Sequence, residues 1–426
     1  MSTDMKKTAI VSCYFQPNYG SMLQALATQM ALDRLGYDNE TICIDGLKKE
    51  IRLAKMRYFA GASLTSDILL SKAGMAMARV RRKLLKGTYT RMMQERLQAF
   101  SDFEHKCFRM SEAYGSRAEL TQACADKYSA VLVGSDQLWL PANIAADYYT
   151  LSFVPESINT ISYATSFGQA QLPRSSERAA MRFLPGIKHI SVREKSGQKI
   201  VSRLTGRRVP IVADPTLLFD GEEWKSVQQE EPLIKGDYIF CYFLGNNPKH
   251  RDFAVRLADE TRCKIAAIPH VDEYVSSDET YADETPWSVG PDAFLNLIRH
   301  AQWVLTDSYH CTAFSMQYEK KFFTFRRYHR KTRQSTNSRL DTLLEQCGVS
   351  ERLLTGEEEI SACRDLMIDY EDVRSRISRL RKYSWNFLKD ALEDKEETDL
   401  NKFYSPSRDT HDFSQGDAQT RLDGES

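Results

Sequence analysis

The run Val304-Leu305-Thr306-Asp307-Ser308-Tyr309-His310-Cys311-Thr312-Ala313-Phe314 carries side chains and spacing suited to anion binding and acid–base work. Trp303 to Leu305 reads as a short buried strand. A polar cluster follows, and helical spacing resumes around Ala313, Phe314 and Met316. A strand that stops at a helix N-terminus leaves free backbone N–H groups at its carboxyl edge, and the helix dipole favours an anion there. His310 is the one side chain on this turn that titrates near neutrality. The plainer alternative is that Asp307 and Ser308 cap the helix and His310 is a surface histidine.

Other apolar runs end in the same way. Ala130 to Val133 leads into Gly134-Ser135-Asp136-Gln137-Leu138-Trp139, and Thr160 to Thr165 into Ser166-Phe167-Gly168. Ile187 to Val192 leads into Arg193-Glu194, and Val209 to Val212 into Asp214-Pro215-Thr216. Open α/β sheets bind ligands outside the carboxyl ends of their strands, so these ends predict one shared site. For Arg193 the alternative is a salt bridge with Glu194 or another acid. For Asp136 it is a loop turn or a helix cap.

The elements that must position these residues follow from periodicity. Thr8 to Cys13 predicts a strand and Tyr14 to Ser21 a turn-rich loop. Met22 to Leu35 predicts a helix with Leu23, Leu26, Ala27 and Met30 inward, stopped by Gly36 before a strand at Glu40 to Ile44. This βαβ unit starts a parallel sheet. The Asn18-Tyr19-Gly20-Ser21 corner can accept an anion but lacks the GxGxxG spacing of a dinucleotide fingerprint. In the second half, strands are expected at 238–244, 264–268 and 322–325, with helices at 251–260, 292–299 and 337–347. Residues 270 to 290 read as a polar loop. Leu366, Tyr370, Val373, Ile377, Leu380, Phe387 and Ala391 form a stripe at three-four spacing, a long amphipathic C-terminal helix.

Residues 51 to 100 hold eleven Lys or Arg against two acids, including Arg79, Arg81, Arg82, Lys83 and Lys86. One reading is a solvated helical insertion. The other is a peripheral surface for anionic lipid headgroups or a lipid-linked diphosphate substrate.

Composition bounds the class. With 426 residues the chain suits two domains, each with its own core. Hydrophobic residues at 42% and charged residues at 27% fit a globular enzyme. With a formal net charge of zero, bulk electrostatics point to neither a nucleic-acid partner nor a membrane. Nine cysteines without a CxxC pair give no zinc signature and suit buried thiols in a reducing compartment. No signal peptide and no bilayer-spanning run is visible, so the expected location is the cytoplasm or the inner face of the membrane.

Taken together, the motifs resemble those of the polysaccharide pyruvyl transferase family. The matching residues are Asn18-Tyr19-Gly20 with Leu23-Gln24-Ala25, Gly134-Ser135-Asp136-Gln137 with Trp139, and Ile161-Ser162-Tyr163-Ala164 with Ser166-Phe167-Gly168. Ser191-Val192-Arg193-Glu194, Asp214-Pro215-Thr216, and Thr306-Asp307-Ser308-Tyr309-His310 with Thr312-Ala313-Phe314-Ser315 complete the set. The family pattern usually has glycine after the histidine; here Cys311 stands there. Coverage runs from about residue 8 to 347.

The resemblance implies an α/β fold of two facing Rossmann-like lobes, similar to GT-B glycosyltransferases. Expected boundaries are a first lobe at 1–185 with a basic helical insertion at about 51–110, and a second lobe at 186–350. C-terminal helices at 351–393 and a disordered tail at 394–426 complete the division. It implies transfer of pyruvate from phosphoenolpyruvate onto two sugar hydroxyls as a cyclic ketal, in bacterial surface polysaccharide synthesis. The acceptor would be a sugar, free, nucleotide-linked or lipid-linked, and no cofactor is implied.

His310, Asp136 and Arg193 then become the catalytic candidates. Asn18, Tyr19, Gly20, Ser135, Gln137, Ser166, Glu194, Asp214, Ser308, Thr312 and Arg339 become substrate-binding candidates. The guanidinium of Arg193 would fork onto phosphate or carboxylate. His310 would do acid work, and Asp136 would orient or deprotonate a sugar hydroxyl, with the two roles exchangeable. Two rivals fit the same scaffold: a nucleotide-sugar glycosyltransferase, and a non-catalytic glycan-binding protein.

Overall fold

The short apolar runs become strands buried on both faces, as parallel sheets require. The computed structural model describes residues 6–62, 88–270, 275–278, 280–327 and 338–395. In the first lobe, β1 (Lys7–Val11), β2 (Asn39–Cys43), β3 (Met110–Ala113), β4 (Tyr128–Val133), β5 (Asn159–Thr165) and β6 (His189–Val192) pair in parallel in the order β3-β2-β1-β4-β5-β6. In the second, β7 (Tyr238–Tyr242), β8 (Lys264–Ala267), β9 (Trp303–Thr306), β10 (Lys321–Phe325) and β11 (Leu353–Leu354) take the order β11-β10-β9-β7-β8. Between them the strands are joined by helices, so this is α/β with two Rossmann-like lobes.

The first sheet takes in more of the chain than expected. β6 pairs with β5, with Ile161 opposite His189, so the change of sheet does not fall at 185. The run 209–212 is not a full strand: Ile211 makes a single parallel bridge to Val192 and still belongs to the first sheet. The crossing to the second lobe therefore comes after 211. The physical reason is that β6 supplies the edge that covers β5, a need periodicity alone does not show. β3, within a few residues of the expected insertion end, was not anticipated.

Two helices set the site in place. Helix α1 (Tyr19–Arg34) is capped by Asn18, whose side chain accepts from Ser21 N at 3.1 Å. Nearly all of it is buried, Met30 being half-buried, because it lies between the lobes. Tyr19 stacks on Phe294 with ring centroids 4.4 Å apart and donates its hydroxyl to Val289 O at 3.1 Å. The helix Tyr309–Gln317 follows β9 and is capped by Ser308, which accepts from Cys311 N. Cys311 is fully buried in this helix.

The C-terminal helix, Tyr370–Leu392, straps the lobes together. It starts beside the helix Ser338–Cys347 of the second lobe and ends on the first. There Asn159 Nδ2 donates to Ala391 O at 2.7 Å, and Ser384 Oγ accepts from Ala213 N at 2.8 Å. Its buried stripe includes Val373, Ile377, Leu380 and Ala391, as the spacing predicts, whereas Leu366 precedes it and is exposed. The basic run 79–86 and the tail from 396 lie outside the described residues. Among the described residues no helix is long and apolar enough to cross a membrane.

Candidate active site

Strand ends from both lobes deliver the charged side chains to one place. β4 leads to Asp136, β6 to Arg193 and Glu194, and β9 to Asp307, Ser308 and His310. Asp214 arrives just beyond the Ile211 bridge, and Arg339 comes from the start of the helix Ser338–Cys347. A cavity of about 80 Å³ opens among Asn18, Asp136, Gln137, His310, Arg327 and Arg339, with Leu244, Asp307, Ser308, Tyr309 and Leu340 completing its wall.

Arg193 is the hub. Its Nη2 donates to Asp136 Oδ1 at 3.1 Å and its Nη1 to Asp214 Oδ2 at 2.8 Å. The guanidinium lies 4.5 Å from the centre of the Tyr309 ring and is wholly buried. The expected fork onto a substrate anion is thus occupied by protein carboxylates. Burial disfavours its charge, but Asp136 and Asp214 outweigh this and hold it above the ordinary arginine range.

Asp136 faces the cavity and is the more exposed of the two carboxylates that Arg193 bridges. Its backbone sits at φ 80°, a region few residues other than glycine adopt. The strained turn is pinned because Asp136 O accepts from Leu138 N at 2.8 Å and Ser166 N at 2.9 Å. Ser21 Oγ donates to Asp136 Oδ2 at 2.6 Å. Burial would raise this carboxyl, but Arg193, then His310, hold it well below the usual carboxylate range.

Asp214 is the inner carboxylate. Oδ2 accepts from Ser135 Oγ at 2.7 Å and lies 3.5 Å from His310 Nε2, while Oδ1 accepts from Thr216 N and Oγ1. Burial pushes it up, yet the nearby His310, then Arg193, with the hydrogen bond from Ser135, bring it well below the usual range. His310 Nε2 is buried beside this carboxylate without a hydrogen-bond partner among the described residues. Glu194 behaves oppositely: burial raises it, and Arg193, Arg339 and the 2.9 Å bond from Ser166 Oγ only partly offset that.

Two arginines face the cavity. With its amide oxygen toward Arg339, Gln137 accepts from both Nη1 and Nη2 at 2.8 Å. Burial, then the charge of Arg193, lowers Arg339 to about 10, so it remains cationic at neutral pH. Arg327 Nη2 donates to Asp307 O at 3.2 Å, and Asp307 also accepts from Leu244 N and Gly245 N at 2.7 and 2.8 Å.

Several expected binding residues are structural instead. Tyr19 is spent in the packing between the lobes. Thr312 lies on the far side of its helix, donating to Ser308 O and touching Thr324 Oγ1 at 3.1 Å. Ser135 and Ser166 are fully buried supports for Asp214 and Glu194. Gly20 lies against the His310 ring. Asn18, Gln137, Ser308 and Arg339 do line the cavity. Arg327 is not among the expected residues, and Ser21 is expected only in the anion-accepting corner, not beside Asp136. Arg327 was open to the rule used elsewhere, since it is a polar residue just past an apolar strand. Ser21 looked like loop, and only the fold brings it to Asp136.

A search of the curated proteins finds no match to this chain. Among solved structures, a protein of Listeria monocytogenes assigned as a UDP-N-acetylglucosamine 2-epimerase superposes with TM-score 0.51 at 11% identity, over 92% of this chain and 99% of that one. The UDP-GlcNAc 2-epimerase of Methanocaldococcus jannaschii, in complex with UDP-GlcNAc and UDP, gives 0.45 at 12%, over 94% and 96%. UGT89C1 of Arabidopsis thaliana gives 0.45 at 10%, over 91% and 98%. At 11% identity the likeness to the Listeria monocytogenes protein is one of fold alone, the two-lobed GT-B arrangement. The profile for polysaccharide pyruvyl transferase matches residues 18–329, which takes in every candidate residue above except Arg339. The chain belongs to the polysaccharide pyruvyl transferase family.

Proposed function

We propose that this enzyme transfers pyruvate from phosphoenolpyruvate to two hydroxyls of a sugar, free or lipid-linked, releasing phosphate and leaving a cyclic ketal. The observation that carries the reading is the cavity wall, where a carboxylate, an imidazole and two arginines converge. Arg339 and Arg327 supply the charge for the donor's phosphate and carboxylate, helped by the N-terminus of the His310 helix. This replaces the role expected of Arg193, whose two terminal nitrogens are already engaged by carboxylates.

The chemistry needs a proton on the donor's methylene carbon, attack of one sugar hydroxyl on the adjacent carbon, and loss of phosphate. The second hydroxyl then closes the ring and gives up its proton. Asp136 is ionised at neutral pH and suits proton removal from a hydroxyl. His310, backed by Asp214, suits proton delivery to the donor or its departing phosphate. Arg193 holds Asp136 and Asp214 at fixed separation, so acid and base keep their places.

The test is incubation with phosphoenolpyruvate and a panel of synthetic and lipid-linked glycosides, reading phosphate release and a pyruvyl adduct by mass spectrometry. Equal release of phosphate and gain of pyruvyl is expected. Stabilisation by a sugar nucleotide with no response to phosphoenolpyruvate would replace this reading with glycosyl transfer. Glycan binding without phosphate release would replace it with a binding role.

A further inference from the structure

Helix α2 (Lys48–Ala62) has one face the active site does not use. Its inner side is anchored by buried Ile51 and packs on the helix Pro141–Ala146, which follows the Asp136 turn. On the outer side, Lys49, Leu53 and Met56 recur at four and three residues and so share a line along the helix. Leu53 is 47% exposed and Met56 58%, large values for such side chains. Arg52 and Arg57 flank the line and are exposed. The nearby acid is turned away: Glu50 pairs with Arg117 at 2.9 Å. Among the described residues Lys49, Arg52 and Arg57 have no acidic partner.

We propose that this outward face of α2, formed by Lys49, Arg52, Leu53, Met56 and Arg57, docks on an anionic lipid bilayer. A helix that sets a few apolar side chains among unpaired cations suits the headgroup boundary. The apolar groups enter the acyl edge while the cations meet lipid phosphates. A protein partner would have to bring its own acidic patch to meet these cations, whereas an anionic bilayer presents phosphates all along its surface. A second copy of the same face would set cations against cations across a two-fold axis. The inner side of α2 packs on the helix that follows the Asp136 turn. Docking would therefore bring a lipid-linked acceptor near the cavity, a consequence that rests on the pyruvyl-transfer reading.

The test is cosedimentation of the full chain with vesicles of phosphatidylglycerol and phosphatidylcholine, against phosphatidylcholine alone. Binding to the anionic vesicles only, weakened by salt, is expected. Lys49→Glu/Arg52→Glu/Arg57→Glu should weaken it by roughly a hundredfold, at about fivefold per cation. Leu53→Glu/Met56→Glu should also release the protein, with turnover on a soluble glycoside unchanged in both variants. Failure of the wild type to bind anionic vesicles, or equal binding to neutral ones, overturns the proposal. So does undiminished binding by the variants, which keep residues 63–87 intact and would reveal attachment there. A wild-type dimer in solution that Leu53→Glu/Met56→Glu dissolves would give this face to a second copy instead. Sedimentation is read without turnover, so its failure is distinct from failure of pyruvyl transfer.

Discussion

Gly20 lies directly against His310: a Cβ at position 20 would stand 2.0 Å from the imidazole Nδ1 and 2.5 Å from Cγ. The two residues belong to different lobes, one in α1 and the other in the helix after β9. The glycine of the Asn18-Tyr19-Gly20 motif therefore clears space for the ring, and Asp214 steadies the ring from 3.5 Å away.

Gly20→Ala is accordingly expected to lower turnover at least tenfold while the protein stays folded. In a helix, alanine is ordinarily better than glycine by about 1 kcal/mol. Here the methyl must push the imidazole aside, which costs about 1–3 kcal/mol. A variant with a raised melting temperature and unchanged turnover would show that the ring moves freely.

His310→Ala should lower turnover by roughly a hundredfold or more if the imidazole moves a proton. Steady-state kinetics with phosphoenolpyruvate and a competent glycoside gives the measurement. Near-native turnover in a folded variant would remove that role.

The two arginines should separate by their kinetics. Arg339→Lys loses the planar guanidinium whose two terminal nitrogens hold Gln137 at the cavity wall, and should raise KM for phosphoenolpyruvate by about ten- to a hundredfold. Arg193→Met leaves Asp136 and Asp214 buried without their shared cation, which should cost about 3–5 kcal/mol of stability. Denaturant unfolding reads the second effect. An unchanged midpoint would mean the carboxylates find other partners.

The acid dependence of stability has a definite sign. Asp136 and Asp214 are held below the unfolded value of about 3.9, so the stability they contribute is present above that pH. It is lost as the pH falls below about 4 toward their folded values. Glu194 is raised, so the fold favours its protonated form, and that advantage disappears as the pH rises through its folded value. Glu194→Gln should therefore raise the melting temperature at about pH 7–8 relative to the wild type, with the difference shrinking near pH 4. Ser166 can still donate to the amide oxygen. An equal difference at both pH values would mean that Glu194 titrates alike in the folded and unfolded chain.

What the chain's order of residues determined by itself was local. Runs such as Ala130 to Val133 and Trp303 to Leu305 had to become buried parallel strands, because only regular backbone pairing satisfies their polar groups while both faces are covered. Their polar ends, Asp136, Arg193 and His310, were legible for the same reason, since ligands gather beyond strand ends. Side-chain direction was not legible. Tyr19 and Thr312 sit in the right motifs yet point into packing, and Arg193 is consumed by two carboxylates from separate strand ends. Only the tertiary structure decided that Arg339 and Arg327 face the cavity, that Asp214 backs His310, and that Gly20 makes room for it. Each of these depends on contacts between distant segments, and helical or strand spacing carries no information about which segments meet.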